Sequence, residues 1–197
     1  MASAVPTTPP RPRRIILAAT GSVASIKMPL LVQRVKEAYK DVVELKIVST
    51  NNALHFFDRN NVGDVHVLTD AEEWSTWTWI SDPVLHIELR SWADAIVIAP
   101  LDANTLAKLA TGLADNLLTC ILRAWDTTKP VILCPAMNTF MWQHPFTKKH
   151  LDVCVELGYT VIEPIVKTLA CGDTGVGAMA EPEFIANVVR ETIPNVE

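Results

Sequence analysis

Residues 93–118 read ADAIVIAPLDANTLAKLATGLADNLL. From Ala95 through Ala99 every side chain is apolar, without the polar alternation of a half-exposed strand, which predicts a short strand covered on both faces. Pro100 stops that strand. Asp102, Asn104 and Thr105 then open a helical pattern expected to run from Asn104 to about Trp125. A two-sided strand that leads directly into a helix is the repeating unit of a parallel sheet, because a parallel neighbour is reached only through a crossover.

The same unit recurs on either side. Upstream, RIILAAT (from Arg14) reads as a buried strand, SIKMPLLVQRVKEAYK as a helix, ELKIVST as a strand, NNALHFF as a short helix and VHVLT as a weaker strand. Downstream, KPVILCPA is a strand, PFTKKHLDVCVELG a helix closed by Gly158, YTVIEP a strand and EPEFIANVVRETI a final helix. The acidic, tryptophan-rich residues 70–83, DAEEWSTWTWISDP, fit no template. Apolar strands alternating with helices predict an α/β fold: a doubly wound, Rossmann-like or flavodoxin-like, mostly parallel sheet with helices on both faces. Residues 1–13 are expected to be a disordered leader and residues 14–197 a single domain.

A hydrophobic fraction of 49% excludes disorder for most of the chain. The net charge of −5, with basic residues scattered, gives no general attraction to nucleic acid or an anionic membrane. Apolar runs stay well short of the roughly 20 residues that span a bilayer, and the start lacks the apolar core of a secretory signal. Cys120, Cys134 and Cys154 lie in apolar segments and read as core residues, so a reduced, cytoplasmic protein without a disulfide framework is expected. No metal-ligand spacing such as HExxH occurs, and a metal site is not expected.

Ligands of doubly wound sheets sit beyond the carboxyl ends of the strands, which directs attention to the residues following each strand. After the first comes TGSVAS, where Gly21, Ser22 and Val23 either seat a phosphate at a helix start or, in the case of Ser22, simply cap that helix. With one glycine in place of GxGxxG, and no Walker pattern, a single phosphate fits better than a pyrophosphate. Thr50, Asn51 and Asn52 after the second strand, and Asp102 to Thr105 after the fourth, carry the same two readings. In AMNTFMW, after VILCP, Asn138 either closes a turn or faces a ligand. His86, in SDPVLHIEL, is either a core imidazole or a proton-transfer group. Trp74, Trp77 and Trp79 either stack on a ligand ring or pack at a subunit contact. Finally, TLACGDTGVGAM (168–179) gathers three of the seven glycines beside Cys171, and reads as a flap around 167–180 or as a surface turn.

Taken together, TGSVAS, DPVLHIEL, the 93–118 stretch, PAMNTFMW and ACGDTGVGAMAE stand in the order and spacing of the homo-oligomeric flavin-containing cysteine decarboxylases, and the chain resembles that family from Arg14 to its last helix. The resemblance implies FMN held by Gly21, Ser22 and Val23, by Thr50, Asn51 and Asn52, by Asp102, Ala103, Asn104 and Thr105, and by Ala136. It implies His86 and Cys171 as catalytic residues and Asn138 as a substrate-binding one, acting on a cysteine derivative through a thioaldehyde and an enethiol. It further implies a homotrimer with each flavin at a subunit interface. Some fungal relatives inhibit a protein phosphatase, which makes a phosphatase catalytic subunit a second candidate partner. Many relatives carry an arginine where this chain has Ser91.

Overall fold

A computed structural model describes residues 11–169, 172 and 174–195. In chain order its elements are β1 (Arg13–Ala19), α1 (Met28–Ala38), β2 (Val43–Ser49), β3 (His66–Leu68), α2 (Asp70–Thr76), α3 (Leu85–Trp92), β4 (Ala95–Leu101), α4 (Ala103–Thr111), α5 (Leu117–Arg123), β5 (Val131–Pro135), α6 (Thr139–Gln143), α7 (Pro145–Glu156), β6 (Thr160–Val161), β7 (Ile165–Thr168), β8 (Thr174–Ala178) and α8 (Pro182–Thr192), with short 3-10 turns after β1 and β2. Six strands form one sheet in the order β3-β2-β1-β4-β5-β6, and every pairing in it is parallel. This is the doubly wound Rossmann order, whose connections reverse direction between β1 and β4.

Alternation along the strands divides the core. Ile15, Leu17 and Ala19 of β1 face the layer built by α1 and α8, whereas Ile16 and Ala18 face Leu89, Leu106 and Ile121 from α3, α4 and α5. β4 runs through Pro100 to Leu101 instead of stopping at the proline, with an irregular register after Ile98, and it is buried at all seven positions, as its unbroken apolar sequence requires. Tyr39, just beyond α1, is 1% exposed, and its hydroxyl donates to Ile193 O at 2.6 Å, tying the two helices of one layer together. Burial pushes that phenol up to about 12.

Several elements differ from the sequence reading. The helical pattern after Asp102 is two helices, because Gly112 adopts a left-handed conformation (φ 73°) that ends α4, and Asn116 opens α5 with a capping box. YTVIEP contributes only the two residues of β6, at the sheet edge. The unassigned 70–83 stretch begins with α2, which Thr69 and Glu72 start through a reciprocal capping box. Cys134 and Cys154 are buried as expected, but Cys120 is half-buried, its Sγ 3.7 Å from Ala114 O. At the other end of the chain, Arg11 pairs with Asp94 and β1 starts at Arg13. Among the described residues no helix is long and apolar enough to cross a membrane.

Candidate functional site

The reversal between β1 and β4 leaves a crevice at their carboxyl ends, and the loops that follow them are locked together there. Thr20, fully buried, donates its hydroxyl to Pro100 O at 2.9 Å and accepts from Asp102 N at 2.7 Å, while its own carbonyl accepts from Ser25 Oγ at 2.8 Å. Gly21 lies where three loops converge: a Cβ there would stand 3.0 Å from both Asn52 Cβ and Asp102 Oδ2. Gly21, Asn52 and Asp102, separated by up to 81 positions in sequence, are thereby neighbours.

The polar residues of these loops do cap their turns. Ser22 Oγ accepts from Ala24 N at 3.3 Å, Asp102 Oδ1 from Thr105 N at 2.6 Å, and Asn138 Oδ1 from Phe140 N at 2.8 Å. Thr50 Oγ1 accepts from Ala53 N at 3.4 Å. Asn51, Asn52 and Asn104 are exposed at the same strand ends, and Ala103 and Thr105 form the first turn of α4 with Asp102.

Beside this junction a cleft of about 340 Å³ opens between the turn after β1, the loop after β5 and the β7/β8 hairpin. Ser22, Val23, Ala136 and Asn138 line it together with Leu169 and Met179. The hairpin is pinned to the Asn138 loop: Met137 N donates to Gly177 O at 2.9 Å, and a Cβ at Gly177 (φ 150°) would fall 2.2 Å from Met137 O. The expected flap therefore contains an antiparallel hairpin over the cleft, with Cys171 itself outside the described residues. Lys27 and Lys167 also line the cleft, and both bind Glu181, at 2.9 and 3.1 Å. Hydrogen bonds from these two ammonium groups hold the Glu181 carboxyl below its ordinary range.

His86 is not among the residues lining this cleft. It sits in the first turn of α3, 26% exposed, with Nδ1 2.5 Å from Oε1 of Glu73 on α2, a side chain only 11% exposed. Glu73 lies within residues 70–83, which fit no template in the sequence; the Thr69-x-x-Glu72 spacing is the signal that marks a helix start there. Trp74 on α2, and Trp79 and Ile80 between α2 and α3, are 77%, 77% and 87% exposed, an apolar surface beside this pair.

Fold and site together define a doubly wound α/β protein whose ligand crevice lies at the topological switch point. The chain belongs to the flavoprotein family, whose model matches residues 4–194. It is 56% identical over 184 residues to a phosphopantothenoylcysteine decarboxylase of Arabidopsis thaliana, covering 93% of this chain and 86% of that protein. Two solved structures share the fold. One is a cysteine-to-serine mutant of PPC decarboxylase complexed with pantothenoylaminoethenethiol: TM-score 0.87, 55% identity, 92% of this chain and 98% of that one covered. The other is the FMN binding protein AtHal3: TM-score 0.84, 55% identity, with 92% and 96% covered.

Proposed function

We propose that this chain is an FMN-dependent decarboxylase that converts 4'-phosphopantothenoylcysteine to 4'-phosphopantetheine in coenzyme A biosynthesis. The observation that carries the reading is the cleft, which collects Ser22, Val23, Ala136 and Asn138 under the hairpin, in a chain more than half identical to a decarboxylase of that name. The donor set suits FMN: hydroxyls and amides of Ser22, Thr50, Asn51 and Asn52 at turn starts for a phosphate, and Val23 and Ala136 as apolar wall for a ring. When bound, FMN supplies a reversible two-electron acceptor, which the carbon bearing the thiol otherwise lacks. His86 takes the proton of the substrate thiol. Asn138 orients the carboxylate so that the bond to be broken aligns with the thiocarbonyl of a thioaldehyde. Cys171 supplies a proton to carbon in the enethiol that remains after carbon dioxide leaves, and return of the two electrons that bound FMN had accepted gives the saturated thiol with no net oxidation. The compound held by the related cysteine-to-serine mutant, pantothenoylaminoethenethiol, is itself an enethiol. The hairpin excludes water from these species, and Lys27 and Lys167 supply positive charge for the substrate phosphate.

The reading extends to a homotrimer in which the Trp74–Ile80 surface packs on a neighbouring copy and delivers His86 to that copy's cleft. It is supported by the exposed apolar side chains and by a cleft without His86 among its lining residues. The test is to supply the FMN-loaded protein with phosphopantothenoylcysteine and measure carbon dioxide and phosphopantetheine. Cys171→Ser should release carbon dioxide but stop at the enethiol, and His86→Asn should release none. Absence of both products from the wild-type protein would refute the assignment.

A further inference from the structure

We infer that Glu73 is a positioning residue for the decarboxylation, fixing the tautomer and orientation of the His86 ring; this rests on the catalytic reading of His86 given above. Glu73 Oε1 stands 2.5 Å from His86 Nδ1. A carboxylate is an acceptor only, so the nitrogen facing it carries the hydrogen, and Nε2 is left with the lone pair. That is the form a base for a thiol proton requires. As the ring takes up the proton, the adjoining negative charge stabilises the imidazolium.

The placement of Glu73 is itself built. The Thr69/Glu72 capping box sets the first turn of α2, and Arg59 anchors that turn by binding both Glu72 Oε1 and Val67 O. Against the burial that pushes it up, Thr69 Oγ1 and Arg59 hold the Glu72 carboxyl down to about 2, so the anchor persists across the working range of an enzyme. Glu73, one residue on, turns inward and is 11% exposed, a position a carboxylate tolerates only with a hydrogen-bond partner. Asp70, Asp115 and Cys120 also gather about this corner, where burial with these carboxylates pushes the Cys120 thiol up, and the cations nearby are engaged elsewhere, Lys108 with Asp115 and Arg59 with Glu72. The partner that Glu73 meets directly is the His86 imidazole.

The test combines kinetics with 15N NMR of the histidine rings in the full-length, FMN-loaded protein. In the wild type, the His86 ring should show the Nδ1–H form, and a ring protonated mainly on Nε2 would overturn the inference without recourse to any variant. Glu73→Gln should lower kcat about a hundredfold with KM within about twofold, and shift the ring toward a mixture of tautomers. Glu73→Asp should recover part of the loss and keep the Nδ1–H signature. If Glu73→Gln keeps kcat within about threefold and an unchanged ring spectrum while His86→Asn is inactive, Glu73 has no positioning role and the catalytic reading stands. If His86→Asn retains full activity, that reading itself falls and takes the inference with it.

Discussion

Gly177→Ala tests whether the β7/β8 hairpin must dock on the Asn138 loop for the cleft to exist. The introduced Cβ would lie 2.2 Å from Met137 O. Ordinary carbon-to-oxygen contacts lie near 3.3 Å, so hairpin and loop must separate by roughly 1 Å. The hydrogen bond from Met137 N to Gly177 O, 2.9 Å long, joins the same two residues and cannot survive that shift, which costs about 0.5–1.5 kcal/mol. A φ of 150° adds about 1–3 kcal/mol for any residue with a side chain. The sum is about 1.5–4.5 kcal/mol against the docked hairpin. The hairpin lies outside the six-stranded sheet, so it can release this strain by undocking while the main core stays folded. The global unfolding free energy should therefore fall by less than the local cost. Hydrogen exchange separates the two: protection of the Met137 amide should collapse while amides in β1 and β4 keep theirs. Turnover should fall with it, since the cleft loses one wall. Wild-type protection at Met137 together with wild-type turnover would refute the steric reasoning.

Ile80→Asp, placed on the 87% exposed apolar surface beside α3, should convert the proposed trimer to monomers by light scattering and abolish turnover; a monomeric wild type that is fully active would refute the shared-site reading. Lys27→Gln or Lys167→Gln should raise KM for the phosphorylated substrate about three- to tenfold and leave KM for unphosphorylated pantothenoylcysteine unchanged, measured in parallel at low salt. Tyr39→Phe should cost about 1 kcal/mol in denaturant unfolding, through the bond lost to Ile193 O. Because folding raises the Tyr39 phenol from about 10 to about 12, its contribution is complete below pH 10 and disappears as pH rises through 12. Tyr39→Phe should remove that alkaline slope, and an unchanged slope would show that Tyr39 is not its source.

The fold was legible because its strands are unambiguous. β4 has no exposed position, so its seven residues carry none of the polar alternation that makes a strand and an amphipathic helix hard to tell apart. The errors fall where a local signal competed with a longer pattern. Residues 104–125 keep a helical spacing of leucines across Gly112 to Asn116, and periodicity alone cannot see that Gly112 has turned left-handed. In residues 70–83 the tryptophans suggested no template, yet Thr69 and Glu72 were a complete helix start. That omission hid Glu73, since a carboxylate becomes a candidate partner for His86 only once α2 and α3 are known to face each other.

The readings left open at Ser22, Thr50, Asp102 and Asn138 could not be closed from sequence, for a reason that the geometry makes clear. Each caps a turn by accepting one backbone N–H, and that uses a lone pair. The serine and threonine hydroxyls still have a hydrogen to donate. Cap and ligand contact thus draw on different parts of the same side chain. At the carboxyl ends of β1 and β4 the turn that needs a cap is also the start of a helix, where first-turn N–H groups have no partner within the helix. A substitution that keeps the cap but loses the donor separates the two roles at Ser22. An aspartate at that position would cap as well as serine but bring negative charge to the same place, so Ser22→Asp should preserve thermal stability and weaken retention of FMN phosphate. Wild-type stability together with wild-type retention of FMN would mean that the cap is the whole function of that hydroxyl.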